Sequence, residues 1–195
     1  WYGAAQRRKR MLLRSVMEGD LPPLPEKIGP SDWWDLFLGN LDGTEDLLAL
    51  APESIGKGKF HGQRNFVGPD ELARINSYIE KGLLDPSLPI ITMGSSAYRG
   101  VPSAKNSGGP SPTLLASPKA VPRIILPKDY AEQYGGHTVK RVTPRMMARL
   151  MGLPDTFPIP EGTLADARLA KTVMGNGIHA AVTKALIQPL MDRPE

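Results

Sequence analysis

Cysteine is absent from the 195 residues, which removes a disulfide scaffold, a zinc ribbon and a cysteine nucleophile from what this chain can itself carry. Long apolar runs are missing too. Stretches such as Ile124-Ile125-Leu126 fall far short of the roughly 20 residues a spanning helix needs, and the opening residues carry no signal-peptide pattern. We therefore read no membrane segment. The three histidines, His61, His137 and His179, are far apart, and neither His-Glu-x-x-His nor Gly-x-Ser-x-Gly occurs, which argues against metal or triad chemistry. Neither sign of charge dominates: 24 Lys plus Arg stand against 20 Asp plus Glu, a formal net charge of +4. With 41 % apolar residues, this balance suits a soluble globular chain of one or two domains.

Proline and glycine are abundant, 20 of each, together about a fifth of the chain against an average usage of roughly 12 %. Loop-rich architecture follows. The chain begins at Trp1, inside what reads as a structured element, and we expect an excerpt of something longer. A basic cluster, Gln6-Arg7-Arg8-Lys9-Arg10, runs into Met11-Leu12-Leu13 and Val16, a loop feeding a buried strand. Three prolines within residues 22–25 remove donors and mark a linker between two lobes. Beyond it, Ser31 caps an expected helix with Trp33, Trp34, Leu36 and Phe37, and residues 44–50 form another.

Residues 55–68, with Gly56-Lys57-Gly58-Lys59, lack periodicity and read as a solvated basic loop; no Walker pattern is met. Pro69-Asp70-Glu71 opens a helix ending near Gly82. Residues 89–93, 113–116 and 121–126 read as strands, and residues 94–109, rich in Ser, Gly and Asn, as a loop. Thr143-Pro144 caps a helix in which Met147, Leu150 and Met151 share a face and which Gly152 ends. A last helix follows Asn176, itself available as a cap, with Ile178, Val182, Leu186 and Leu190 four apart.

Four consecutive cations at residues 7–10 repel one another, so they face phosphates or another anion, or form a solvated or targeting patch. Period two places Gln6, Arg8 and Arg10 on one side. Arg145 and Arg149, four apart on a helix, either meet phosphate or are merely solvated.

Residues 2–13, Tyr-Gly-Ala-Ala-Gln-Arg-Arg-Lys-Arg-Met-Leu-Leu, resemble the eighth conserved motif of DNA cytosine-5 methyltransferases, Tyr-Gly-x-x-Gln-x-Arg-x-Arg before an apolar strand. Residues 109–117, Gly-Pro-Ser-Pro-Thr-Leu-Leu-Ala-Ser, look like the Pro-Ser-x-Thr-Ile/Leu element that closes the family's target-recognition region. Residues 141–157 are similar to the ninth motif almost throughout, and Met174-Gly175-Asn176-Gly177-Ile178 matches the tenth, Gly-Asn-x-Val, ahead of its helix. Met146 stands where the family usually has Glu, and Gly177 where it has another small side chain. Residues 21–94 carry no motif on which the resemblance relies.

The resemblance implies an α+β chain. Residues 1–19 would end the catalytic domain, residues 20–160 would form a loop-rich target-recognition domain, and residues 161–195 would return to the catalytic domain. The terminal strand and helix would then belong to a Rossmann-like α/β methyltransferase domain. The implied function is transfer of methyl from S-adenosylmethionine to C5 of a flipped cytosine in double-stranded DNA, by an enzyme of the bacterial or phage type in a restriction-modification setting. Arg10 would hydrogen-bond the cytosine O2, Arg8 a phosphate, and Gln6 would orient the loop. Gly175, Asn176, Gly177 and Ile178 would line the cofactor pocket. Arg99, Lys105 and Asn106 would read bases through the major groove, with Thr113 and Leu114 supporting them from a strand and Arg145 on phosphate; alternatively residues 94–109 are a plain surface loop.

With no cysteine, the chain is expected to be inactive alone and to need an N-terminal catalytic portion, in the same protein or a separate subunit. Apolar surface should be exposed at its terminal strand and helix. The expected location is the cytoplasm, at the bacterial nucleoid or in a phage-infected cell. A catalytically silent DNA-binding or regulatory subunit, half of a split enzyme, and a tRNA cytosine-5 methyltransferase are the rival readings.

Overall fold

A computed structural model of the protein describes residues 4, 13–15, 19–37, 69–93, 103–115, 122–127, 129–130, 139–159 and 164–192. They give an α+β arrangement of α1 (Pro69–Glu80), β1 (Ile90–Thr92), β2 (Ala104–Asn106), β3 (Arg123–Ile125), β4 (Val139–Arg141), α2 (Pro144–Leu150), α3 (Leu164–Asn176) and α4 (Ala180–Met191). The strands form one antiparallel sheet in the order β2-β1-β3-β4.

The register sorts the side chains. Lys105, Ile91, Ile124 and Lys140 lie in one row across the sheet, flanked by the rows Asn106-Ile90-Ile125-Val139 and Ala104-Thr92-Arg123. Alternation sends the middle row to one face and its flanking rows to the other. Ile91 and Ile124 accordingly join the main core with Met93, Leu126, Trp33, Trp34, Phe37, Leu114, Val142, Met146, Leu150 and Met174. On the opposite face Ile90 and Ala104 pack with Ile75 and Leu84, while Tyr78 and Ile79 of α1 lie alongside. The sheet is therefore covered twice, by α1 and by α2 with the turn at residues 33–37.

A buried polar link holds α1 to its face. Thr92 and Arg123 are register partners, so a single carboxylate reaches both: Glu71 Oε2 takes a 2.7 Å bond from Arg123 Nη1, and Glu71 Oε1 a 2.8 Å bond from Thr92 Oγ1. All three residues are buried.

Helices α1 and α2 end alike, each on a glycine in the left-handed region. Gly82 (φ 66°) donates to the Ile79 carbonyl and Leu83 to that of Tyr78; Gly152 (φ 71°) donates to Arg149 and Leu153 to Ala148. This is the paired-bond ending that satisfies the last carbonyls of a helix. At the start of α2, Thr143 Oγ1 accepts from the Met146 N–H at 3.3 Å, and the Met146 sulfur accepts from the Thr143 N–H at 3.5 Å. Methionine thus fills the reciprocal place of a capping-box Glu with a weak sulfur acceptor.

Several expectations are corrected. Residues 94–109 are not all loop, since Ala104–Asn106 is strand β2; the polar residues there occupy an edge, where one side needs no apolar partner. Residues 113–115 are not a strand, because Pro110 and Pro112 beside them offer no ladder donors. Residues 31–37 make a turn, with the Phe37 N–H on the Trp34 carbonyl at 2.9 Å, and no helix. Residues 13–15 form no strand, while the apolar surface expected to be exposed there is seen at Leu13, 94 % exposed; residues 11, 12 and 16 lie outside the described residues, as do the expected helix at 44–50 and the 55–68 loop. Strand β4 and helix α3 carried no expectation. Helix α4 contains Pro189 and buries no residue. Among the described residues no helix is long and apolar enough to cross a membrane.

Candidate functional site

The segment joining α3 to α4 is built around glycine. Helix α3 runs through Asn176, and the Gly177 N–H still donates to the Val173 carbonyl at 2.9 Å. A Cβ on Gly177 would stand 3.2 Å from Met151 Cε and 3.3 Å from the Val173 oxygen, so a side chain there fits only where these neighbours give by a few tenths of an ångström. Met174 and Gly175 are buried, whereas Asn176 and Ile178 are exposed. The turn thus rests one side on the core and presents an amide and a branched apolar side chain outward. The cap of α4 is His179, not Asn176: its Nδ1 accepts from the Ala181 N–H at 3.2 Å. Burial pushes the His179 imidazole below its ordinary pKa, as expected where a cation would be desolvated.

The β1–β2 hairpin and its neighbours place the other expected residues. Lys105 is half-buried in β2. Asn106 has both ends of its amide engaged inside the protein, Oδ1 accepting from the Asp85 N–H at 2.8 Å and Nδ2 donating to the Asp85 carbonyl at 2.8 Å and that of Leu88 at 3.4 Å. It latches the turn at residues 85–88 to β2. Within that turn Ser87 bonds to Asp85 and holds its carboxyl below the usual range. Leu114 is buried in the main core and Thr113 is half-buried beside it. Arg145 Nη1 donates to the Phe157 carbonyl at 2.7 Å.

Arg149 grips Asp155 with two 2.6 Å bonds and the Leu36 carbonyl with a third at 3.1 Å. That guanidinium holds the Asp155 carboxyl below its ordinary value. Both arginines tie the segment after α2 back to the fold.

Sequence reasoning missed Asp32. Its carboxylate accepts from the N–H groups of Trp34 (3.0 Å), Gly108 (2.8 Å) and Gly109 (3.3 Å). Next to it, Trp33 Nε1 donates to the Asn106 carbonyl at 2.7 Å and the Trp33 N–H to the Gly109 carbonyl at 3.0 Å. Residues 31–34 therefore clamp the segment that leaves β2. No local signal points to a contact across 76 positions. Also unforeseen are the Glu71–Arg123 pair and Lys140, 2 % exposed on the main-core side of the sheet.

The structure brings Gly177 against Met151 at the end of α2, with Gly175, Asn176 and Ile178 beside it in the same turn, and Lys105, Asn106, Thr113 and Leu114 around the sheet and its main core. Gln6, Arg8, Arg10 and Arg99 lie outside the described residues. Among the described residues no group of His, Asp and Glu has a metal-holding arrangement. Compared with known proteins, the chain matches the model of the family described as C-5 cytosine-specific DNA methylase over residues 1–192. No curated protein and no solved structure matches it.

Proposed function

The chain belongs to the C-5 cytosine-specific DNA methylase family, and on that premise we propose that it supplies target recognition and one active-site wall for methylating a cytosine flipped out of duplex DNA. The observation that carries this reading is a family match over residues 1–192 in a chain without cysteine. Cytosine C5 becomes nucleophilic only after a thiolate adds to C6, so that thiolate comes from a separate catalytic portion, in the same protein or another subunit. We take the chain as the C-terminal portion of a compact enzyme of the bacterial or phage type. A surface for the missing portion is available: Leu169 and Val173 on α3, and Ile187 and Met191 on α4, are exposed apolar pairs at helical spacing, Met191 at 72 %.

The residues present fit S-adenosylmethionine at the turn of residues 175–178. Asn176 and Ile178 are exposed on this turn, a polar and an apolar side chain available to the cofactor, while Gly177 lets the turn pack closely on Met151. When bound there, the cofactor supplies a sulfonium methyl group open to attack by an electron-rich carbon. On the DNA side, Arg10 is assigned to the cytosine O2, Arg8 to a phosphate and Gln6 to loop orientation. Arg99 and Lys105, the latter half-buried on the edge strand β2, are assigned to DNA contact. Asn106 acts by holding the 85–88 turn, Leu114 and Thr113 by supporting the sheet, and Arg145 by anchoring the segment to Phe157.

Fluorescence anisotropy with labelled duplex DNA and with tRNA across a salt series tests the reading. Duplex DNA should bind more tightly, its log affinity falling linearly with log salt concentration. A clear tRNA preference would replace the substrate, and no affinity for either would favour a subunit without nucleic-acid contact. A Pro-Cys dipeptide followed by Glu-Asn-Val in the partner portion would identify the missing catalytic half.

A further inference from the structure

His179 directly follows the proposed cofactor turn and has no part in the assignments above. Its ring does two things. Nδ1 caps α4 through the Ala181 N–H, and the ring occupies the space where residue 152 would carry a side chain: a Cβ there would meet Cε1 at 2.6 Å and Nδ1 and Nε2 at 3.2 Å. Only a glycine at 152 lets the imidazole sit so close, and the same glycine adopts the positive φ that ends α2.

Two neighbours of the ring reach the same place. The Ala180 N–H donates to the Met151 carbonyl at 2.8 Å, and Gly177 stands against Met151 Cε. Residues 177, 179 and 180 therefore converge on Met151 and Gly152. Helix α2 in turn is rooted in the main core through Met146, Met147 and Leu150. A helix cap alone does not explain the choice of histidine, since Asn, Asp and Ser accept the same bond and lead the preferred caps. What a short cap residue lacks is the ring that fills the space over Gly152.

We propose that His179 is a positioning residue for the cofactor turn: its ring, seated on Gly152, sets the backbone of residues 175–178 against the end of α2, so that cofactor site and recognition core share one joint. The inference rests on the assignment of residues 175–178 to S-adenosylmethionine. It makes a distinction that ordinary capping does not. Asn at 179 restores the cap and leaves the seat empty, whereas Ala at 152 pushes the ring away and leaves its capping atom intact.

The test compares wild type, His179→Asn, His179→Ala and Gly152→Ala in the full chain, by equilibrium dialysis with labelled S-adenosylmethionine, thermal unfolding and amide hydrogen exchange. His179→Asn should unfold within a few degrees of wild type, yet bind the cofactor at least tenfold more weakly and exchange the amides of residues 175–178 at least tenfold faster, with those of α1 and β1 unchanged. His179→Ala should lose in both affinity and unfolding temperature. Gly152→Ala should repeat the affinity loss; should it fail to fold, His179→Asn decides alone. Cofactor affinity and exchange within twofold of wild type in His179→Asn would overturn the inference and leave the cofactor assignment standing. Absence of cofactor binding by wild type would instead overturn the assignment, and the exchange rates would then report a joint of structural use only.

Discussion

Around the sheet, apolar residues are covered on both faces, and even the charged Glu71 and Arg123 are sealed between α1 and β3. Helix α4 is the reverse: none of its residues is buried, and Ile187 and Met191 face solvent. The first region generates its stability from its own side chains. The second is tied on at one end, through Met151 and Gly152, and keeps its apolar surface exposed. The chain thus holds one layer covered on both faces and one helix with its apolar side chains exposed, and substitutions should tell the two apart.

Arg123→Leu should destabilise most. Glu71 would be left as a buried charge without its cation, a loss of about 3–5 kcal/mol for such pairs, read as a lowered midpoint in urea unfolding. Replacing Glu71 by Leu in the same protein should recover much of it, and no recovery would show that the pair is not the source. Next comes Asp32→Ala, which strips three backbone N–H groups of their acceptor and should cost about 2 kcal/mol. Its second signature is faster amide exchange at residues 108 and 109, and unchanged exchange would break the proposed clamp.

Acidification acts on the joint between the regions. The His179 pKa lies below 6.5 in the folded protein, so the unfolded chain binds that proton first. Stability should be undiminished above pH 6.5, fall as the pH drops from there to the folded-state value, and level off below it. Comparing stability against pH with His179→Asn isolates this share; identical curves would remove His179 from the acid response. The smallest effect belongs to α4: Ile187→Lys should change unfolding stability by no more than about 0.5 kcal/mol. The same change should lower affinity for a catalytic portion, so a large stability loss would show that α4 is already covered within the chain.

How much of this could be read in advance depends on the range of the interactions involved. Helices α1 and α2 were visible because their signals are local: Pro69 and Gly82 at one, Thr143, Pro144 and Gly152 at the other. The apolar triplets of β1 and β3 were visible for the same reason. Strand β2 was not, because Lys105 and Asn106 look like loop residues and acquire strand geometry only by pairing with Ile91 and Ile90. Helix α3 was not, because its exposed Leu169 and Val173 blur the apolar stripe. At the candidate site the 175–178 turn was anticipated from its motif, but His179 on Gly152, Asp32 on residues 108–109 and Asn106 on Asp85 join positions 21 to 77 apart, which no local pattern encodes.

The sulfur that closes the first turn of α2 bears on how that helix responds to solution conditions. Where Glu would bring a carboxylate, Met146 brings a neutral thioether, so the opening of the helix is indifferent to both protons and salt. Its far end leans on an imidazole. One short helix therefore has a neutral cap at one end and a titratable neighbour at the other, so acid acts on it from the side where α4 is attached.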